Sequence, residues 1–158
     1  MGTLSAGAYR PSGTALLMNR NERGLLLVHG AAVLLAGLLL GLAAVVEELA
    51  GTQPQRWRAG HAALLLAGVW LLAIAAVLPI LVLSQRQKTA LCWSLLVTVY
   101  AFTIAIVVQA STGVRALSPS SSVGSWIAYV ANIVTVGAGL FAGLLTLMGA
   151  LGALKSDQ

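Results

Sequence analysis

Two histidines are the side chains of this sequence best suited to chemistry. His29 lies a few residues into a long apolar run, and His61 stands where a short charged stretch gives way to a second apolar run. A neutral imidazole can bind a metal or exchange a proton near physiological pH through one ring nitrogen. His61 needs the closer explanation, because Trp57 and Arg58 lie within about one helical turn of it.

Other arrangements typical of catalysis are absent from the sequence. Glu47 and Glu48 are the closest carboxylates, and their position between two apolar runs favours an interfacial role over a catalytic one. The single cysteine, Cys92, lies in an apolar run, so neither a disulfide framework nor a Cys-x-x-Cys site can form. Any chemistry must therefore depend on the histidines and the few polar side chains at their depth.

The composition identifies the solvent in which these side chains act. The chain has 158 residues, of which 59% are hydrophobic and only 8% are charged. A soluble domain has roughly a quarter charged residues, so this chain cannot cover its surface with polar groups and requires a bilayer. Its formal charge of +5 is therefore interpreted as a topology signal, and nucleic-acid binding is not expected.

Four apolar runs organise the chain, and each has at least the roughly 20 residues needed to cross the ~30 Å hydrocarbon core. They cover residues 24–46, 59–83, 89–110 and 125–154. Short connections between them favour antiparallel neighbours. The sequence therefore predicts an all-α, integral membrane, four-helix up-down bundle over residues 21–158, preceded by a flexible or interfacial N-terminal tail at residues 1–20.

Local signals add detail to this bundle. The segment QRQK at residues 85–88 predicts a tight turn between the second and third helices, and Pro79 predicts a kink within the second helix. Two pairs of small residues predict close helix approaches, within the bundle or between protomers. These pairs are Gly37 with Gly41, and Gly139 with Gly143.

The basic residues predict the orientation of the bundle. Six Lys and Arg residues lie on the side of the two termini, and three lie on the other side. The positive-inside rule then places both termini in the cytoplasm. We expect a multi-pass protein of the bacterial inner membrane.

The predicted topology separates the two histidines and groups other polar side chains with one of them. His29 and His61 differ in depth by roughly 20 Å at 1.5 Å per residue, so they cannot both bind one metal within a bundle. Gln109 and Asn132 are predicted at the level of His61, and Tyr100 nearer mid-depth. Interpretations without a catalytic role remain open. In these, Gln109 and Asn132 only form hydrogen bonds between helices, and His61 is an interfacial histidine bonded to a neighbour.

The segment WRAGHAALLLAGVWLLAIAAVLPIL at residues 57–81 resembles the second-helix signature of the styrene oxide isomerase family, which are small four-helix membrane proteins. His29 and Gly30 echo a histidine-glycine pair in the family's first helix, and Arg115 matches an arginine after the third helix. Within the signature, the matching residues are Trp57, Arg58, Ala59, His61, Val77, Leu78 and Pro79.

The resemblance implies a cofactor and a reaction. It implies haem b bound between the protomers of a homotrimer, with His61 as the axial ligand and therefore the metal-binding residue. Trp57, Arg58 and Arg115 would bind the cofactor, with Arg58 reaching its propionates. The ferric iron would act as a Lewis acid that opens a small hydrophobic epoxide to a carbonyl product, a Meinwald-type rearrangement.

The chain departs from the family pattern at two positions. The family asparagine six residues after the histidine is replaced by Ala67, and the family's third-helix tyrosine falls on Ile106. Tyr100, Gln109 and Asn132 are therefore the predicted catalytic substitutes. Two alternatives remain: a haem-binding protein without isomerase activity, and a four-helix membrane scaffold without a cofactor.

Overall fold

The described part of the chain folds into four long helices that alternate in direction. The computed structural model describes residues 13–52, 55–113, 118–119 and 122–156. The helices are α1 (Gly13–Leu49), α2 (Gln55–Val77), α3 (Gln85–Thr112) and α4 (Val123–Ser156). Each contains a stretch long and apolar enough to cross a membrane. The predicted all-α, four-helix membrane bundle is confirmed, and the chain is a multi-pass membrane protein.

Close glycine contacts hold α1 antiparallel to α2. A Cβ atom built on Gly68 would lie 3.0 Å from the carbonyl oxygen of Gly30, and one built on Gly41 would lie 2.6 Å from the ring of His61. Residues later in α1 therefore contact residues earlier in α2, as expected for an antiparallel pair. The first glycine pair of the sequence consequently serves packing within the chain.

The other helices continue the same alternation. Gly124, near the start of α4, faces Thr112 at the end of α3, and Gly139 faces Thr98 further back along α3. Between α2 and α3, Gly60 packs against Ile106. The first and last described helical residues therefore lie at the same end of the bundle, whose cytoplasmic position stays a prediction.

The N-terminal boundary differs from the predicted division of the chain. α1 begins at Gly13, inside the segment predicted as a tail, whereas its membrane-compatible part begins at Asn21. Residues 1–12 lie outside the described part of the chain. The division into a tail and a bundle at residue 20 therefore stays a prediction.

Pro79 ends α2, so the predicted kink within a longer helix is wrong. The helix stops at Val77, because the residue before a proline is disfavoured in the α conformation. The following segment then packs against α4, where the Val82 N–H donates to the Gly149 carbonyl oxygen at 3.1 Å. Leu78 and Leu81 are buried in this connection.

The predicted turn at residues 85–88 is also wrong, because these residues form the first turn of α3. Ser84 is the N-cap, its side chain accepts from the Gln87 N–H, and the Gln87 side chain accepts from the Ser84 N–H. This reciprocal capping box satisfies two backbone donors that the helix leaves unpaired. The Ser-x-x-Gln spacing at residues 84–87 is a sequence signature of a helix N-terminus, whereas the polar composition of QRQK favours a turn.

Replacing Gly68 with alanine should destabilise the α1–α2 pair. The new Cβ would lie 2.6 Å from Leu34 Cγ and 2.9 Å from the Leu34 backbone nitrogen, which cannot move without shifting α1. We expect a loss of about 1–3 kcal/mol, the usual cost of overpacking a well-packed core. Denaturant unfolding in detergent micelles, followed by circular dichroism, measures this loss.

The matched control is Gly137→Ala on α4, where an added Cβ meets nothing within 4 Å. Alanine is the better helix former by about 1 kcal/mol, so this variant should keep or raise the unfolding midpoint. Equal midpoints for the two variants would contradict the contact between α1 and α2.

Candidate functional site

His61 is held against α1 by one ring nitrogen. It lies near the start of α2, half-buried, with Nδ1 at 2.8 Å from the carbonyl oxygen of Gly37. A carbonyl oxygen only accepts hydrogen bonds, so Nδ1 must carry the proton. In the neutral ring, Nε2 then keeps its lone pair and is the nitrogen that can bind a metal.

Gly41 provides the space in which the His61 ring lies. A Cβ atom at this position would be 2.6 Å from Nδ1 and 2.9 Å from Cε1 of the ring. The imidazole therefore packs directly on the backbone of α1, one turn beyond the carbonyl group that it binds. Gly37 and Gly41 together fix both the tautomer and the position of His61.

Trp57 and Arg58 both bind carboxylates of the same chain. Trp57 Nε1 donates to Glu47 Oε1 at 3.3 Å, and Arg58 Nη2 forms an ion pair with Glu48 Oε2. Thr52 Oγ1 donates to the other Glu47 oxygen at 2.8 Å. These donors are thus arranged to bind carboxylates, next to His61 in sequence.

The interpretation of Glu47 and Glu48 as interfacial residues missed these partners. The available signal for the ion pair was opposite charge across a short connection, since Glu48 and Arg58 are ten residues apart. Glu47 and Trp57 have the same separation, but the indole carries no charge. Arg115, the third predicted cofactor-binding residue, lies outside the described residues.

Gln109 lies at the level of His61, as its position in α3 predicts. It lines a cavity of about 230 Å³ together with Arg56 and Gly60 from the beginning of α2 and Ile106 from α3. Its Nε2 donates to the Ala105 carbonyl oxygen at 3.1 Å. Arg56 was not singled out from the sequence, because Arg58 alone belonged to the recognisable WRAGH segment.

Asn132 bonds within its own helix. Its Nδ2 donates to the Ala128 carbonyl oxygen at 3.0 Å. Because α4 faces the end of α3 at Gly124 and an earlier part of α3 at Gly139, Asn132 lies between these two levels. This depth is close to that of His61, because Gly60, the residue before His61, packs against Ile106 in the same part of α3.

Tyr100 is paired with the other histidine. Its hydroxyl group lies 2.6 Å from His29 Nδ1, and the two rings meet edge to face with centroids 5.5 Å apart. His29 precedes Gly37 by eight residues, about 12 Å along α1. Within one chain, Tyr100 therefore belongs to a separate polar pair and not to the group around His61.

Ala67 lines an apolar space that we call the interhelix cavity. It lies between α2, α3 and α4 and has a volume of about 460 Å³. Its walls include Ala63, Ala67, Trp70, Thr98, Phe102 and Thr135. No pattern in the sequence indicates this cavity, because its walls come from three helices and contain mostly small or apolar side chains.

Comparison with known proteins adds a finding that covers most of the chain. A family model with the description "SOI: Styrene oxide isomerase" matches residues 22–152, from the first membrane-compatible turns of α1 almost to the end of α4. No curated protein and no solved structure matches the chain.

Proposed function

This chain belongs to the styrene oxide isomerase family, and we propose that it is a membrane-embedded, haem b-dependent isomerase. In this proposal it opens a small hydrophobic epoxide to a carbonyl product. The family match suggests an epoxide isomerase, and the four apolar helices suit a substrate that dissolves in the bilayer. Haem, the iron chemistry and the substrate class are our inference from the residues that follow.

The proposal depends most on the hydrogen bond between His61 Nδ1 and the Gly37 carbonyl oxygen. Metal-binding histidines usually donate their second ring N–H to a carbonyl or carboxylate, which fixes the tautomer and orients the ring. His61 has this arrangement, and its Nε2 is the atom that we assign to the iron. One axial histidine is enough to hold a haem iron, so a cluster of several metal-binding side chains is not required.

The groups beside His61 suit the acidic side chains of a haem. Trp57 and Arg58 already bind carboxylates, and haem propionates are carboxylates. The Arg58–Glu48 pair is about half exposed, and exposed pairs typically contribute less than about 1 kcal/mol. A propionate can therefore replace a glutamate at low cost, and Arg115 is the further cation that we assign to this role.

When bound, ferric haem supplies a Lewis acid for the epoxide oxygen. The chain's part is to hold the substrate and exclude water. Gln109 and Asn132 each donate one N–H within their own helix, and every carboxamide has a second N–H. We assign that second donor to the substrate oxygen. The rearrangement moves a hydride between neighbouring carbon atoms of the substrate, so no side chain has to supply a proton overall.

We propose a homotrimer in which a neighbouring protomer covers Tyr100. Its hydroxyl group pairs with His29 within the chain, but the side chain is still 41% exposed within a membrane-spanning segment, so a helix of another protomer has room to pack on it. Tyr100 would then act in catalysis at the site of a neighbouring chain. Gly143 on α4 meets nothing within 4 Å and leaves room for close approach of another helix.

The absorbance spectrum of protein purified from haem-replete cells tests the cofactor, and incubation with a small aryl epoxide tests the reaction. We expect a Soret band and formation of the isomeric carbonyl compound. Colourless protein would contradict haem binding and favour a membrane scaffold. A Soret band without product would leave a haem protein that is not an isomerase.

A further inference from the structure

Arg56 is a cation that lacks a partner within the described part of the chain. It forms neither an ion pair nor a hydrogen bond there, whereas Arg58 is paired with Glu48 of α1. Side chains two residues apart on a helix do not face each other, and Arg56 extends over Gly113, the C-cap of α3. Its guanidinium group is therefore available on the α3 side of α2, whereas His61 faces α1.

Gly113 makes room for this guanidinium group. Its φ is 72°, and a Cβ atom there would contact Arg56 Nη1 and lie 2.9 Å from Arg56 Cζ. The start of α2 and the end of α3 lie side by side at this point, so the opposite charges of their helix dipoles offset each other. The Arg56 cation then decides the sign of the local field, which attracts an anion.

The cavity beside Arg56, which we call the Arg56 cavity, has a charged rim and an apolar wall. Its volume of about 230 Å³ equals the share of about seven water molecules in the liquid, so a phosphate group fits. The apolar wall includes Ala59, Ile106 and Ala110. Ile106 lies seven residues before Gly113, about 10 Å further into the membrane-compatible part of α3. The cavity therefore suits a ligand with an anionic head and an apolar body.

The position of the Arg56 cavity matches the level of phospholipid headgroups. It lies where the membrane-compatible part of α2 begins, at Gln55, and that of α3 ends, at Thr112. The headgroup layers lie directly outside the ~30 Å hydrocarbon core. A guanidinium group can bind a phosphate through two parallel N–H donors. A phospholipid joins such a phosphate to acyl chains, so one molecule has both parts that the cavity accommodates.

We propose that the Arg56 cavity binds the phosphate group of a phospholipid, with the start of an acyl chain lying along the wall at Ile106. The binding site is independent of the haem proposal, in which Arg58 and Arg115 bind the propionates. Only its consequence for catalysis rests on the proposed function. Gln109 belongs to the same cavity, so a lipid bound there separates this side chain from the aqueous phase.

Native mass spectrometry of the full-length protein, titrated with dioleoyl phosphatidylglycerol, tests the site. We expect one tightly retained lipid per chain in the wild type. Arg56→Gln should weaken retention about tenfold, because hydrogen bonds from a charged donor to the phosphate are lost. Arg86→Gln removes an exposed cation at the opposite end of α3 and should leave the affinity unchanged. Equal affinities of the two variants would overturn the proposal.

Three further ligands identify the group that binds. Dioleoylglycerol has the same acyl chains without a phosphate and should not be retained, so retention equal to that of the phospholipid would reduce the site to an apolar contact. Inorganic phosphate at equal concentration should not displace the lipid, and displacement would make this a site for free phosphate. Haem should leave the lipid bound, whereas its displacement by haem would assign Arg56 to a propionate. Each of these contrary results would overturn the lipid assignment.

Gly113→Ala tests the position of the guanidinium group without removing its charge. The added Cβ would push the flexible end of Arg56 away from α3. Gly51→Ala is the matched control, because Gly51 has nearly the same φ, 73°, but nothing lies within 4 Å of its added Cβ. Both variants carry the same backbone strain, and only Gly113→Ala should weaken lipid retention, to nearly the level of Arg56→Gln. An equal effect of the two alanines would contradict the proposed seat of Arg56.

Discussion

Replacing His61 with alanine should abolish the Soret band of the purified protein and lower epoxide isomerisation by more than about 100-fold. Loss of a group that merely orients a metal ligand costs about 10–100-fold in affinity or activity, so loss of the ligand itself should exceed that range. The substitution removes Nε2, the nitrogen left unprotonated by the bond from Nδ1 to Gly37. Absorbance spectra and product formation measure the two effects.

His29→Ala is the matched control for His61→Ala. It also removes an imidazole from a membrane helix, but His29 is paired with Tyr100 and lies about 12 Å from Gly37 along α1. This variant should keep the Soret band. Added imidazole should restore the band in His61→Ala by entering the vacated space. If His61→Ala keeps an unaltered band without imidazole, a residue other than His61 is the iron ligand.

The overall fold was predictable because hydropathy accumulates over many residues. Each membrane-compatible helix has a mean hydropathy of at least 2.0 over its best window, so single polar residues could not obscure it. Boundaries depend on one or two residues and were harder to predict. Pro79 lies beyond the end of α2, and the capping pair Ser84 and Gln87 converts a polar turn into the start of α3.

The candidate site was only partly predictable, for a different physical reason. Position along the helices placed Gln109 near the depth of His61, because depth follows directly from residue number. Partners across helices did not follow, since they depend on how each helix is rotated. The pairing of His29 with Tyr100 joins residues 71 apart, and the partner of His61 is a backbone carbonyl group, which no residue type reveals.

Gly41 links the packing of α1 and α2 to the proposed chemistry. The same absence of a side chain that lets the helices approach also leaves space for the imidazole beside the Gly37 carbonyl group. A change at Gly41 should therefore affect the cofactor through the orientation of His61, although position 41 has no group that could bind it.

Gly41→Ala should weaken haem binding about 10–100-fold, the range found when a group that orients a metal ligand is altered. The added Cβ would lie 2.6 Å from Nδ1, so the ring must move away and lengthen or lose its bond to Gly37. Haem titration of apoprotein, followed by the Soret band, measures the affinity. The band should also change shape, because the iron ligand is no longer held in one orientation.

The control separates this effect from a general effect on helix packing. Gly137→Ala makes the same change on α4, where an added Cβ meets nothing within 4 Å of the chain, and it should leave haem affinity unchanged. Gly68→Ala disturbs the α1–α2 contact at a distance from the ring, so it should lower stability more than it alters the spectrum. If Gly41→Ala binds haem like the wild type, the bond to Gly37 does not orient the iron ligand, and the proposed role of His61 loses its main structural support.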